Sequence, residues 1–456
     1  MTGVRSAPPG RRPLPWIDPP PRSALFVLEG LRVRPSWLVA ATVLSVAIPW
    51  GDGAVGSGTT RVSPGDVASL LLVVLAGAFW VRDRAAGRVR VPVAVALVFA
   101  GIVVAAALST ELSADPASSL VGWVRQTQIF VLVPPAVIVS LRVRRDVSIV
   151  VGSIVTLGVV EAGVGVWQTA TRNGASYAGQ MIRAVGTFGA LDVMAMSIVC
   201  GIALVMAVPL ALTAPDGWRR ALFLGVTAVL VVGLVCSLSR GSWIAAGAGV
   251  LVVLMRFDAK LAFRLGLGAG ALLTVVMGGF GVGAGMIGGR VRSILDSVHD
   301  PDRSVGDRYS LWRTAEGMWQ DHPATGVGIK NFPAFRDAYA PLGLSGSSDT
   351  ADSVTGFVRE PLLSPHNQYL LALSEQGVLG AGAFVLALGA LLIGLWRRGR
   401  AADAHWLLCV GVATSVCVNF LYSDVGGPTT VLVGIVLGLA TRHTWPVASA
   451  DGEGER

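Results

Sequence analysis

The sequence predicts an all-α, polytopic membrane protein with about twelve transmembrane helices and one large extracytoplasmic loop. Three observations predict it. First, 53% of the 456 residues are hydrophobic and 14% are charged, where a water-soluble domain carries about 25% charged residues. Second, the apolar residues fall in runs close to the roughly 20 residues that cross a bilayer as a helix. Third, the arginines gather in short clusters between alternate runs. Mean hydropathy is +0.65, in agreement with the first observation.

Residues 1–35 are rich in Pro and Arg and read as a disordered cytoplasmic tail. The next region, 36–282, holds the expected spans 36–50, 66–81, 91–109, 122–141, 147–170, 191–213, 219–238, 242–256 and 260–282. Residues 283–365 form the large loop. The region 366–442 holds the last three spans, 367–396, 404–422 and 426–441, and 443–456 is a second cytoplasmic tail.

Alternate loops sort by charge. One set carries Arg82/Arg84/Arg88/Arg90, Arg142/Arg144/Arg145, Arg219/Arg220, Arg256/Lys260/Arg264 and Arg397/Arg398/Arg400. The other set is nearly free of clustered cations and includes "TELSADPASS", "SRGS", the 283–365 loop and "YSDVGG". Positive loops face the cytoplasm, so the second set faces out of a cytoplasmic (inner) membrane. The net charge of +8 is therefore topological, and nucleic-acid binding is excluded as its explanation. Cys200, Cys236, Cys409 and Cys417 all lie in apolar runs, so neither a disulfide frame nor a metal site is indicated.

The outward loop contains "GDRYSLWRTAEGMWQDHPATGVGIKNFPAFRDAYAPL". Tyr309, Trp312, Ala315 and Trp319 recur at one-turn spacing, which predicts a helix lying along the membrane interface, anchored by its aromatic residues. Pro333 suits the first turn of a second short helix. The Ser/Gly-rich "LSGSSDTADSVTG" is expected to be mobile.

The loop ends in "SPHNQYLLALSEQGVLG". Ser364 is expected to cap the next helix with Pro365 at its first position, which puts His366 in the first turn at the outer surface. At 100° per residue His366, Leu370, Leu373, Gly377, Gly380 and Phe384 share one stripe. The two glycines let another helix or a lipid tail approach along it. Glu375 falls on the opposite face. A neutral imidazole beside a helix N-terminus suits general-base chemistry next to a phosphate.

Four arginines share that outward side. Arg240 occupies the tight turn "SLSRGSW", with Ser242 as its expected cap; Arg308 opens the loop helix; Arg183 precedes "AVGTFG"; Arg125 lies in "WVRQTQ" near the outer end of its span. Each departs from the positive-inside pattern, and guanidinium forks pair with phosphates in a bidentate manner.

These segments together resemble the O-antigen ligase and O-antigen polymerase superfamily of integral-membrane glycosyltransferases, whose architecture is GT-C-like. The signature is "HNQYLLALSEQGVLG", with His366, Asn367, Tyr369, Gly377 and Gly380. "SLSRGSW", "DRYSLWRTAEGMWQDHPATGVGIKNF" and "RAVGTFG" resemble three further motifs. The last is followed by Ala190-Leu191-Asp192, where the family often continues with Pro-Asn.

The resemblance implies transfer of a glycan from a polyprenyl-diphosphate-linked donor to an acceptor hydroxyl on a lipid, a wall polymer or a protein, without metal or other cofactor. It gives His366 the role of base. Arg240 and Arg308 take the role of holding the diphosphate, Arg183 that of assisting phosphate binding, and Arg125 lies on the same face. Ligation en bloc, polymerisation and protein O-glycosylation all fit this signature. A twelve-span transporter or flippase is the alternative from another class, and it predicts repeats and charges at mid-span. The chain shows no repeat and keeps its candidate polar residues at the outer interface.

Overall fold

The computed structural model describes residues 26–28, 31–49, 62–85, 93–177, 180–189, 192–279, 303–341, 344, 349–352, 356–359, 362–399 and 403–444. Its helices in chain order are α1 (Pro35–Ser45), α2 (Pro64–Ala85), α3 (Val93–Glu111), α4 (Pro116–Thr127), α5 (Val133–Ser140), α6 (Arg144–Thr171), α7 (Ala195–Leu212) and α8 (Gly217–Cys236). Then follow α9 (Arg240–Phe257), α10 (Ala259–Gly279), α11 (Arg303–Asp321), α12 (Phe332–Tyr339), α13 (Gln368–Arg397), α14 (Ala404–Asn419) and α15 (Thr430–Thr444). Three short antiparallel ribbons join them. They are Phe26–Leu28 with Leu31–Val33, Ala175–Tyr177 with Gln180–Arg183, and Asp349–Asp352 with Gly356–Arg359.

Two expectations change here. Residues 26–33 were expected inside a disordered tail and carry a ribbon; residues 1–25 lie outside the described set. The Ser/Gly-rich stretch expected to be mobile, residues 344–356, contributes the strand Asp349–Asp352 and the first residue of its partner strand, Gly356–Arg359.

Among the described residues, seven helical segments are long and apolar enough to cross a membrane: Pro64–Val81, Pro116–Ser140, Arg144–Thr171, Ala195–Leu212, Gly217–Cys236, Arg240–Phe257 and Gln368–Arg397. Four more apolar helices are shorter: Pro35–Ser45, Ala96–Glu111, Ala404–Asn419 and Thr430–Thr444. Helix α10, Ala259–Gly279, covers the described part of the remaining expected run, 260–282, whose last three residues lie outside the described set.

Local chemistry sets the helix ends. In "SPGD" Ser63 N–H and Oγ–H donate to Asp66 Oδ2 at 2.8 and 2.9 Å, and Asp66 N–H returns to Ser63 Oγ at 3.2 Å, a capping box opening α2. Asp115, Asp216 and Asp403 cap α4, α8 and α14 through backbone N–H groups. Between α4 and α5 the residues Gln128–Leu132 form a π turn, with Val133 N–H reaching Gln128 O. Pro134 and Pro135 follow at once. Neither has an N–H to continue the α-helical ladder, and the register shifts there.

The bundle has two chemically distinct ends. At one, Arg34 pairs with Asp146 at 3.9 Å, Arg442 donates to Leu141 O and Arg142 O, and the Arg256 guanidinium lies between the Trp396 and Trp406 rings. Arginine-rich turns thus gather on the side expected to be cytoplasmic. The opposite end holds the end of α1, the start of α2, the α3–α4, α8–α9 and α14–α15 turns, the start of α13, and the 323–331 segment.

The core is also double. A large cluster packs α1, α5–α7 and α13–α15 around Val150, Ile154, Met196, Leu408 and Ile435. A small one at the polar end joins α11, α12 and the first turns of α13 through Leu311, Ala315, Met318, Phe332 and Leu362, with Leu370 and Leu371 against it. Helices α9 and α14 pack closely where Gly249 meets the Gly411 carbonyl, and this brings the start of α9 beside the end of α14.

Candidate active site

His366 lies outside the helix it was expected to begin. Asn367 is the cap, its side-chain oxygen accepting from Tyr369 N–H at 3.0 Å and Leu370 N–H at 3.1 Å, and α13 starts at Gln368. Ser364 and Pro365 therefore precede the helix. His366 has φ +49, in the left-handed region, so its side chain leaves the chain in a direction that no helical phase predicts. Its Nδ1 is 3.4 Å from Ser364 Oγ, and its backbone N–H points to the same hydroxyl at 3.4 Å.

The turn is held from both sides. Trp312 Nε1 donates to Pro365 O at 3.0 Å from the loop helix. Gln368 N–H donates to Phe420 O at 2.8 Å, and Gln368 Oε1 accepts Val425 N–H at 2.7 Å. Tyr369 OH donates to Cys417 O at 2.9 Å. The expected interfacial anchoring stripe is accordingly turned partly inward. Trp312 supports the His366 turn and Ala315 is buried, while Tyr309 stays exposed with its ring edge-on to Trp312.

The stripe expected to join His366 to Gly377 and Gly380 does not exist, because α13 breaks at Gly377 (φ +61, ψ −164). In an unbroken helix Val378 and Leu379 N–H would bond to Ser374 and Glu375 O. Instead they donate to Pro323 O (2.9 Å) and Ala324 O (3.3 Å), while Val327 and Gly328 N–H donate to Ser374 O (3.0 Å) and Glu375 O (2.9 Å). The "HPATGVG" segment replaces one helical turn with its own backbone, so every exchanged group remains bonded. A Cβ on Gly377 would run into the Ala324 carbonyl, and one on Gly326 into the Glu375–Gln376 backbone. What approaches Gly377 is thus a turn segment of the same chain, rather than a neighbouring helix or a lipid tail. Gly380 makes room for the Gln376 side chain, whose Oε1 accepts from Gln126 Nε2 at 3.0 Å.

Around this junction Ser109 Oγ donates to Glu375 O (2.8 Å), Ser119 Oγ to Ile329 O (3.0 Å), and Asn331 Nδ2 to Ser113 Oγ (2.7 Å). The buried Glu375 carboxylate accepts Phe332 N–H at 3.1 Å, so it anchors the loop. Lys330 holds a left-handed backbone (φ +65) with its stem beside Gly122. Burial and then the Arg125 guanidinium push its ammonium below the ordinary lysine range, with Glu375 opposing.

The arginines approach the same end from separate elements. Arg240 is the first residue of α9; Ser239 takes the cap position, and Ser242 instead bonds Ser197 at 2.8 Å. The neighbouring Gly241 packs on the Tyr422 side chain, two residues after the Phe420 carbonyl that holds Gln368. Arg308 stands one turn before Trp312 on α11, on the same helix face. Arg183 ends the second ribbon with Nη1 3.7 Å from Met194 Sδ, and Ser239 Oγ reaches that sulfur at 3.7 Å. Arg125 pairs with the buried Asp66 at 3.4 Å and donates to Gly427 O at 3.2 Å, which ties α4 to α2 and to the last turn.

Two features escaped the sequence reading. The exchange between 323–328 and Gly377 had a signal in the paired Gly326 and Gly328, but nothing local names their partner. Glu161, fully buried within α6, was legible as an acid inside an apolar span. It reaches the Arg183 loop through Thr187.

Residues 225–385 match the family model described as O-Antigen ligase. No curated protein matches the chain. The matched stretch encloses Arg240, Arg308, His366, Gly377 and Gly380, and Arg125 and Arg183 lie before it. That stretch, about a third of the chain, is similar to the O-antigen ligase family, and among the described residues seven helical segments are long and apolar enough to cross a membrane.

Proposed function

We propose that the protein transfers a glycan from a polyprenyl-diphosphate carrier to an acceptor hydroxyl at the outer face of the cytoplasmic membrane. The acceptor oxygen attacks the anomeric carbon, the bond from that carbon to the diphosphate oxygen breaks, and its electron pair leaves on the diphosphate. His366 takes the acceptor's proton. In the tautomer that donates Nδ1–H to Ser364 Oγ, the other ring nitrogen is the base. Arg240 and Arg308 hold the diphosphate and stabilise the charge it gains, and Arg183 assists. Arg125 stays with Asp66 as a structural clasp in this reading. No metal enters it.

One observation carries this proposal. The segments bearing His366 and Arg240 both pack on the Phe420–Val425 turn, and Arg308 lies one helical turn from the tryptophan that holds the residue before His366. Loop clusters of this kind, borne on broken membrane helices, are where polar chemistry is accommodated at a membrane surface.

The test supplies purified protein with a polyprenyl-diphosphate glycan and lipid, wall-polymer and protein acceptors. Transfer is expected with one acceptor class, and His366→Ala is expected to lower it at least about 100-fold. Unchanged transfer by that variant removes the base. Movement of donor across vesicles without transfer favours a flippase.

A further inference from the structure

The Arg183–Thr187 loop is drawn against α6 by two side chains of that helix. Gln168 Oε1 accepts the N–H groups of Val185 and Gly186, both at 2.9 Å, and its Nε2 donates to Gly186 O at 2.8 Å. Two turns earlier on the same face, Glu161 Oε2 accepts Thr187 N–H at 2.9 Å and Oε1 lies 2.6 Å from Thr187 Oγ1. Gly186 has φ +65, and a Cβ there would run into the Glu161 carboxyl. Glu161 is 0% exposed, and among the described residues both of its hydrogen-bond partners are on Thr187.

The protons can be counted. Thr187 Oγ1 carries one hydrogen and stands between two oxygens, Glu161 Oε1 and Ala47 O at 3.0 Å. Ala47 follows the end of α1, where a carbonyl has no helical donor of its own. Were Glu161 ionised, Oε1 would compete with Ala47 O for that single hydrogen, and among the described residues no ion pair would offset the buried charge. Were it neutral, every hydrogen would have a place. Oε1–H donates to Thr187 Oγ1, the threonine hydroxyl donates on to Ala47 O, and the carbonyl oxygen Oε2 accepts Thr187 N–H.

We propose that Glu161 is a positioning residue that acts as a neutral carboxylic acid. Through Thr187 it latches the Arg183 loop to α6 and to the end of α1, and so sets where the Arg183 guanidinium stands. The functional consequence rests on the reading of Arg183 as a phosphate-holding group; the protonation assignment does not.

Two measurements test it. Infrared difference spectroscopy of the full-length protein in detergent at neutral pH, wild type minus Glu161→Gln, is expected to show the C=O band of a protonated carboxylic acid. A carboxylate signal in its place overturns the assignment whatever the transfer results. In the transfer assay Glu161→Ala is expected to lower activity about tenfold, chiefly through a higher KM for the donor, and to be non-additive with Arg183→Ala. Glu161→Gln, whose amide can donate to Thr187 Oγ1 and accept its N–H, is expected to restore transfer to within about twofold of wild type.

Equal loss in the Gln and Ala variants, or losses that multiply in the double variant, sinks the positioning role. Melting in detergent accompanies each variant. If Glu161→Ala does not fold, Thr187→Val removes the same bond from its other side and is expected to shift the infrared band and weaken donor binding alike. An Arg183→Ala protein with full activity would refute the role of Arg183 while leaving the infrared result standing.

Discussion

Gly377 and Ala324 meet backbone to backbone: the glycine leaves helical geometry where the alanine carbonyl passes, and the hydrogen bonds of one turn of α13 are exchanged with the 323–328 segment. The half of α13 beyond the break from the large core, carrying Leu370 and Leu371, packs in the small core with α11 and α12. His366 and Arg308 therefore belong to one packed unit, and Arg183 and Arg240 to the bundle.

Gly377→Ala should be among the most damaging single substitutions. Its φ and ψ lie in a region essentially confined to glycine, which costs another residue about 1–3 kcal/mol, and the added methyl meets backbone that cannot move aside. Melting in detergent is expected to fall sharply and transfer to be lost. A variant with wild-type melting would show that the break is dispensable.

Asn367→Ala removes the acceptor for two N–H groups at the start of α13 and is expected to cost about 1 kcal/mol. Asn367→Asp should retain the cap. Since His366 is the adjacent residue, transfer should fall in the Ala variant and recover in the Asp variant; equal loss in both would assign Asn367 a role beyond capping.

Trp312→Phe keeps the ring and deletes the bond to Pro365 O. A neutral hydrogen bond contributes about 1 kcal/mol, so a modest loss of stability is expected together with roughly a fivefold lower kcat, as the His366 turn loosens. A purely anchoring tryptophan would leave kcat unchanged.

Arg125 and Arg240 should separate in kind. Arg125→Ala leaves the buried Asp66 without its cation, at a cost on the order of 3 kcal/mol, and should lower the melting temperature. Arg240→Ala should leave melting nearly unchanged and abolish transfer. Comparing melting with activity for both variants checks this, and a stable, inactive Arg125 variant would move that residue into the site.

Lys330 supplies a pH test. Its folded-state value lies below the ordinary lysine value, so between the two the unfolded chain binds the extra proton and stability rises with pH. Below the folded value both states are protonated and the penalty of burying the charge is fully present. Lys330→Met should therefore melt higher than wild type at neutral pH, with the difference shrinking through the alkaline range towards about 10.4. A variant less stable at neutral pH would mean that the attraction to Glu375 outweighs burial.

Much of this arrangement is written in local pattern. Apolar length located the helices, and capping groups such as Asp66, Asp115 and Asp403 mark where several begin. Charge alternation sorted the turns into two ends. The His366 helix start was misplaced by three residues because "SP" and "HN" are both credible starts, and only the packing of Trp312 and Phe420 against the turn selects between them. The partner of Glu375, the Phe332 N–H, was not foreseeable from local pattern.

Helical periodicity, span length and capping depend on residues within a few positions of one another, so the chain alone sufficed to place a largely helical protein with several helices long and apolar enough to cross a membrane. The break at Gly377, the left-handed His366 turn and the Glu161–Thr187 latch each depend on a partner from another element. In each, a backbone group or side chain finds its hydrogen-bond partner across the fold, and burial makes that pairing obligatory. Periodicity carries no information about such partners, and so the geometry of the candidate site was settled only by the packing.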